Sequence, residues 1–439
     1  MTRSEATAIL AVSVVFSLHG VYGCGPPEPA REGDTTAFLG ATLFDGTGSP
    51  PVEDAVVVVR AGRIAAVGVA GRVAVPEGAR VVDLGGLFLT PGLINAHGHV
   101  GGTLGLESGH YTRENLLRQL RLYARYGVTT VVSLGGDEPG GIRLRDEQDA
   151  TSLDRSRLFV AGAVVIGDTP AAAVEMVDAN AAMGVDFIKI RVDDNLGTTP
   201  KMSPDVARAV IGRAHELELP VAAHLFYLED ARTLLREGVD FIVHSVRDRS
   251  VDADLAALLI ENDVCYSPTL TREVSTFVYE GRPSFFDDPF FLAAAEPAVL
   301  EQLEDAGRQA DTRASPSARA YKAALATATR NLGVLSDAGV SIAMGTDTGP
   351  PGRFQGYFEH VELALMAEAG MTPMEILIAA TGDAARCIGR SDIGTIEPGR
   401  WADMIVLRRN PLEGIDRLRS IESVWIAGNR VADAVTVVP

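Results

Sequence analysis

The sequence predicts an α/β fold: a (β/α)8 TIM barrel with a small β-sandwich domain built from both chain ends. Three observations carry that expectation. Between about Leu93 and Gly389, eight short apolar runs alternate with helical stretches, the pattern of strands covered on both faces. Each end of the chain shows short apolar runs broken by tight-turn residues, with no helical period. Histidines collect just beyond the apolar runs, at the strand ends where such barrels place their chemistry.

Taken in order, Arg3 and the apolar segment Ala6–Leu18 suit a signal peptide over residues 1–23, being short for a membrane span. Cys24 follows, ahead of the Pro-rich stretch of a tether at 24–36. The chain is thus expected to be exported by a bacterium, to the periplasm or as a lipoprotein anchored through Cys24. Residues 37–90 supply the N-terminal part of the sandwich, through runs such as Val56–Val59, Ile64–Val67 and Leu87–Leu89. Residues 391–439 supply the rest, through Ala402–Leu407 and Ser423–Ile426. Neither end has enough strands to close a core alone.

The barrel is assigned to residues 91–390. Its strands are expected at Leu93–Ala96, Thr129–Leu134, Leu158–Ala161, Phe187–Ile190, Val221–Ala223, Phe241–Val243, Val264–Tyr266 and Ser341–Met344. Helix starts are marked by Thr112, by Ser203-Pro204 and by Thr372-Pro373-Met374-Glu375, the last a capping box. A stretch at about 273–335 is too long for a plain connection and is read as an insertion. Within it Gly281–Phe291 is expected to be irregular and to act as a lid or substrate wall, with helices at Glu296–Arg308 and Ser317–Leu332.

The 439 residues are 46% apolar and 22% charged, enough for a sizeable core. A net charge of −19 argues against nucleic acid as a partner, because phosphate neutralisation needs clustered Lys and Arg. Besides Cys24 the chain holds only Cys265 and Cys387, each in an apolar context, and both are expected to be buried small hydrophobes rather than a disulfide framework.

His97 and His99 follow the first strand, at a spacing that puts both side chains on one face. Lys189 lies in the fourth strand, His224 ends the fifth, His244 ends the sixth and Asp347 follows the eighth. Singly, each has an ordinary role: a core histidine, a snorkelling lysine, a helix cap. Four of the eight histidines at strand ends, with an inward lysine and an aspartate, point instead to a metal site.

The order His-x-His, Lys, His, His, Asp resembles the amidohydrolase superfamily. Asp45-Gly46-Thr47-Gly48, Leu89-Thr90-Pro91-Gly92-Leu93-Ile94-Asn95-Ala96-His97-Gly98-His99, Gly127-Val128-Thr129-Thr130 and Ala402-Asp403-Met404-Ile405-Val406 are similar to its imidazolonepropionase-like and prolidase-like branch. The resemblance implies two divalent metal ions, usually zinc. His97, His99 and Asp347 would hold one, and His224 and His244 the other. Lys189 would bridge them as a CO2-derived carbamate. It also implies an amide-hydrolysing enzyme, a dipeptidase of prolidase-like activity, in which Asp347 and His244 are catalytic and Asp347 moves the proton. Val243 stands before His244 where many relatives have Glu. Tyr227 matches a substrate-facing tyrosine of the family; Arg191, Arg353 and His110 are the other candidates for touching a small-molecule or dipeptide substrate. Relatives assemble, which implies a homo-oligomer. The alternatives are a hydrolase of a cyclic amide, lactone or organophosphate on the same metals, and a lipid-tethered binding protein without catalysis.

Overall fold

The computed structural model describes residues 35–436. The expected signal peptide, Cys24 and nearly all of the tether lie outside the described residues. Among the described ones, no helix is long and apolar enough to cross a membrane.

Both chain ends share one eight-stranded sheet. Thr35–Leu43 runs antiparallel to Val52–Arg60, which pairs in turn with Arg63–Val69. Its other edge lies parallel to Arg80–Asp83 and Phe88–Pro91. Phe88–Pro91 pairs antiparallel with Met404–Leu407, and Ile421–Ile426 and Asn429–Arg430 follow. Side-chain alternation along Met404–Leu407 serves two cores at once. Met404 and Val406 join Phe38, Leu43, Val57, Leu89 and Trp425 in a small cluster, whereas Ile405 and Leu407 join the large core of the middle of the chain. A buried ion pair crosses between the two parts, from Arg157 Nε and Nη2 to the Asp403 carboxylate at 2.6 and 3.3 Å.

The middle is built from parallel strands. Leu93–Gly98, Val128–Ser133 and Arg157–Val160 form one sheet. Ile188–Arg191, Val221–His224, Phe241–Val243 and Cys265–Ser267 form another. The two are linked by the amide of Asp186 to Val160 O (2.8 Å) and that of Val165 to Lys189 O (2.8 Å). The eighth expected strand, Ser341–Met344, forms no regular ladder. It takes a bond from Tyr266 N and returns one from Ala343 N to Tyr266 O, and its Met344 carbonyl accepts from Ala96 N (2.8 Å). That stretch therefore bridges Cys265–Ser267 and Leu93–Gly98 by single bonds before the chain turns at Asp347.

Helices begin where the capping residues place them. Thr112 caps Arg113–Arg125, Ser203 caps Pro204–Glu216, and Thr372 with Glu375 makes the capping box of Pro373–Ala379. The insertion holds Pro297–Leu303, Ala306–Ala314 and Pro316–Asp337.

Two expectations are corrected. Gly281–Phe291 is not an irregular lid: it forms helical turns at Ser284–Asp287 and Pro289–Leu292, and Phe286, Phe290 and Phe291 are buried. Phe285 and Phe291 stack edge-on against Phe354, and Phe291 also against Tyr357. Opening this segment would expose side chains worth about 2–3 kcal/mol each in burial, which argues against its swinging open. Cys265 and Cys387 are not independent thiols but a disulfide, with Cα atoms 5.7 Å apart across 122 residues of sequence. The pairing was illegible because the strand Cys265–Ser267 and the helix Gly382–Cys387 meet only in the folded chain.

Candidate metal centre

The ends of the parallel strands bring the expected residues together. His97 lies in Leu93–Gly98, and His99 is one residue beyond it. The loop carrying Asp347 folds over them, with Thr346 N and Asp347 N both donating to His97 O (3.0 and 2.7 Å). Close approach there needs glycine. A Cβ on Gly345 would stand 2.3 Å from Ser267 Oγ and 2.9 Å from His97 Cβ, and Gly349, at φ +113°, would place one 2.1 Å from His99 O. His244, Thr269 and Asp347 adopt φ of 73°, 48° and 59°, backbone strain concentrated at the site.

One ligand atom each of His97, His99 and Asp347 lies within 4.8 Å of the others. His99 Nε2 is 2.8 Å from Asp347 Oδ1, and His97 Nε2 is 3.7 Å from the same oxygen. Lys189 Nζ stands 3.3 Å from His97 Nε2. The His97 and His244 rings are 4.6 Å apart, and those of His224 and His244 are 4.1 Å apart. All six candidates thus form one continuous cluster.

The donor set suits divalent cations. His99 Nδ1 meets Gly135 O at 2.9 Å, His244 Nδ1 meets Thr269 Oγ1 at 2.7 Å and His224 Nε2 meets Asp193 Oδ2 at 3.3 Å. Each of these rings is oriented through one nitrogen; the opposite one is left for an ion in His224 and His244, and in His99 it faces Asp347 Oδ1, another candidate ligand. Burial, reinforced by Lys189, keeps His97 well below the usual histidine pKa; burial and the neighbouring His224 do the same to His244. Burial lowers His224 to about 4. His97, His224 and His244 are therefore neutral, the form that binds metal. Burial also lowers Lys189 to about 7, and among the described residues no carboxylate lies within 4.0 Å of its Nζ to hold the proton. Asp347 is the opposite case. Burial would raise it, but Arg353 and His99 hold it well below the ordinary carboxylate range, as an anion.

The remaining candidates stand at the edge of this cluster. Arg353 Nη1 contacts Asp347 Oδ2 and donates to Asp347 O at 3.2 Å, so it is engaged with the aspartate itself. Arg191 donates to Asp193 Oδ1 (3.1 Å) and Thr199 Oγ1 (3.2 Å), beside a cavity of about 570 Å³ that Asp193, itself 3.3 Å from His224 Nε2, also lines. Tyr227 donates to Asp194 Oδ1 at 2.8 Å and carries Lys201 Nζ 3.9 Å above its ring. His110 sits apart, 3.6 Å from Glu107. A cavity of about 250 Å³ opens beside His99, between Gly102, Gly135 and Pro350.

Sequence reasoning missed the residues that hold the ligands. Asp193 follows the lysine strand by two residues and was visible only as a turn acid. Thr269 gave no signal; its hydroxyl meets His244 Nδ1 at 2.7 Å. Glu359 was equally silent. Its Oε1 accepts from Asn95 Nδ2 (2.7 Å), Thr346 Oγ1 (2.8 Å) and Thr348 Oγ1 (2.7 Å), and Asn95 Oδ1 in turn accepts from His97 N (3.0 Å). One buried carboxylate thereby ties the segments bearing His97 and Asp347.

Comparison with known proteins places the chain in a family and a fold. The chain is 25% identical over 448 residues to the imidazolonepropionase of Streptomyces avermitilis, covering 97% of this chain and 96% of that one. Its fold is similar to that of a Xaa-Pro dipeptidase solved with methionine in its active site (TM-score 0.74, 22% identity, 90% of this chain and 99% of that one). It is similar also to a putative prolidase from Bifidobacterium longum (TM-score 0.74, 25% identity, 94% and 97%). The amidohydrolase family pattern matches residues 88–431. With that match spanning most of its length, the chain belongs to the amidohydrolase family.

Proposed function

We propose that this chain is an exported, two-metal amidohydrolase that cleaves the C–N bond of a small dipeptide-like substrate. The observation that carries the proposal is the cluster itself: the buried His97 and His244, the partly buried His99 and His224, a buried lysine that among the described residues has no carboxylate within 4.0 Å, and an ionised aspartate. His97, His99 and Asp347 would hold one divalent ion, and His224 and His244 a second. When bound, the ions supply polarisation of the scissile carbonyl and acidify an attacking water. Lys189, lowered by burial to about 7 and so partly neutral near pH 7, would add through Nζ to CO2 and release a proton, giving an anionic carbamate whose oxygens would serve as ligands to both ions. Asp347 takes the proton of the attacking water and passes it to the leaving nitrogen. Arg353 and His99 fix the carboxylate so that one oxygen faces each neighbour.

The same proposal includes a (β/α)8 barrel over 91–390, closed through Ser341–Met344, and a sandwich formed by the shared sheet of both ends. The disulfide supports export, because such bonds persist in oxidising compartments. Lipidation of Cys24 and zinc as the native ion complete the proposal; imidazole and carboxylate ligands also suit nickel, manganese or iron.

The test is a kinetic panel of dipeptides, acylated amino acids, cyclic amides, lactones and phosphotriesters on metal-replete protein. Amide turnover should dominate, and Asp347→Asn should lower kcat by about 10²–10⁴-fold. Better turnover of lactones than of any amide would overturn the assignment.

A further inference from the structure

Three threonines that precede helices cap them with their hydroxyls. Thr112, Thr169 and Thr372 each accept, through the side-chain oxygen, the amide three residues on. Thr269 stands in the same position before Leu270–Phe277, yet its side chain makes no such bond. Its backbone is left-handed (φ 48°, ψ 47°), an uncommon state for a β-branched residue, and it is fully buried. Its hydroxyl instead meets His244 Nδ1 at 2.7 Å. A second contact, from Ser245 Oγ to Pro268 O at 2.9 Å, ties the same two segments.

The cap that Thr269 does not supply comes from Glu362, on the helix Tyr357–Glu368. Its Oε1 accepts from Leu270 N and its Oε2 from Thr271 N, both at 2.7 Å, so it serves the first two amides of the helix. Thr271 Oγ1 lies 2.7 Å from the same Oε2 and 3.0 Å from Thr346 O. Glu362, Thr269 and Thr271 are all fully buried, so solvent offers no substitute acceptor. Burial pushes the Glu362 pKa up to about 8, and the group acts here as a pair of acceptor oxygens rather than as a fixed charge. The neighbouring carboxylates are engaged elsewhere. Glu359, one turn earlier on the same helix face, holds Asn95, Thr346 and Thr348, and Glu273 Oε1 faces Arg247 and Arg272.

We propose that Glu362 is a positioning residue for His244: by capping Leu270–Phe277 from outside, it frees the Thr269 hydroxyl to accept from His244 Nδ1, which leaves the lone pair of Nε2 for the second ion. Without Glu362, the Thr271 amide would draw that hydroxyl into the ordinary cap bond, and His244 would lose its fixed partner. This rests on the two-metal reading above and adds to it a residue that touches none of the six candidate ligands.

The experiment is a calorimetric zinc titration of metal-stripped wild type, Glu362→Gln, Thr269→Val, Thr269→Ser and the double variant Glu362→Gln/Thr269→Val, with thermal melts to check that each folds. Gln keeps the shape and one acceptor oxygen, Val keeps the shape of threonine without its hydroxyl, and Ser keeps the hydroxyl. Glu362→Gln and Thr269→Val should each weaken the second zinc equivalent about 10–100-fold, more than the first, whereas Thr269→Ser should retain most of the wild-type affinity. Because Glu362 acts through Thr269, the double variant should bind no more weakly than Thr269→Val alone. Losses that add in the double variant, or a second equivalent unchanged in Glu362→Gln, overturn the proposal. If wild type binds fewer than two equivalents, the two-metal reading fails instead. Nitrogen-15 spectra of the metal-free imidazoles then still decide the role of Glu362. His244 should show the Nδ1-protonated tautomer in wild type and lose that preference in Glu362→Gln and Thr269→Val; one unchanged tautomer in all three overturns the proposal.

Discussion

Asp403→Ala should cost this protein about 3–5 kcal/mol, the penalty for leaving one member of a buried ion pair without the other. Arg157 and Asp403 are both buried, and Arg157 donates through Nε and Nη2 to the two Asp403 oxygens. After the substitution its guanidinium would keep Gln148 O at 3.1 Å and the face of Trp401 at 4.4 Å, but the nearest carboxylate would be Asp149 at 3.8 Å, on the surface. The amide of Ala427 would also lose its acceptor, now 2.7 Å away. An unfolding entropy of about 2.1 cal/mol/K per residue, over roughly 400 residues, converts 3–5 kcal/mol into a fall in Tm of about 4–6 °C. Scanning calorimetry at one scan rate, on samples of equal metal content, reads this directly. The double variant Arg157→Met/Asp403→Leu removes both charges and should recover most of the loss. A Tm for Asp403→Ala within about 1 °C of wild type would refute the argument that this pair joins the shared sheet to the parallel strands.

Further outcomes follow from the same structure. Glu359→Gln keeps an acceptor for Asn95, Thr346 and Thr348 but removes the charge, and should weaken metal binding about tenfold with little change in Tm; Glu359→Leu strands three donors and should lower Tm as well, both read by metal titration and thermal melts. Unaltered metal affinity in both variants would count against Glu359 as the tie between the His97 and Asp347 segments. Opening the Cys265–Cys387 bridge with Cys387→Ser releases a loop of 122 residues, for which chain entropy gives a loss of up to about 5 kcal/mol. Thermal inactivation with and without reductant checks it, and identical half-lives would show that the bridge does not constrain the chain.

How far these features were legible in the sequence depends on the distance over which each is determined. Strands and helix starts are local: Val128–Ser133 announces itself by its apolar run, and Thr372 with Glu375 announces the capping box within four residues. The six candidate ligands were legible because a repeated strand–helix architecture brings the ends of successive parallel strands side by side, so residues far apart in sequence share an address. Partners that reach across those ends carry no such address. Thr269 on His244, Asp193 on His224 and the Glu273 shared by Arg247 and Arg272 depend on how the loops pack. The engagement of Arg353 with Asp347 belongs to the same class: the sequence shows a free arginine six residues on, and only the turn at Gly349, at φ +113°, brings it back. Gly281–Phe291 misled for another reason. Its glycine, prolines and aspartates look like loop, yet its phenylalanines have a buried place to go.

The central claim, that Lys189 bridges two ions among these histidines, is tested most directly by metal content per chain, measured on purified wild type beside Lys189→Ala. The account predicts close to two equivalents in the wild type and a loss of metal in the variant, accompanied by loss of amide hydrolysis. One equivalent in the wild type, unchanged by the substitution, would contradict it and would leave Lys189 a buried amine with no part in the metal site.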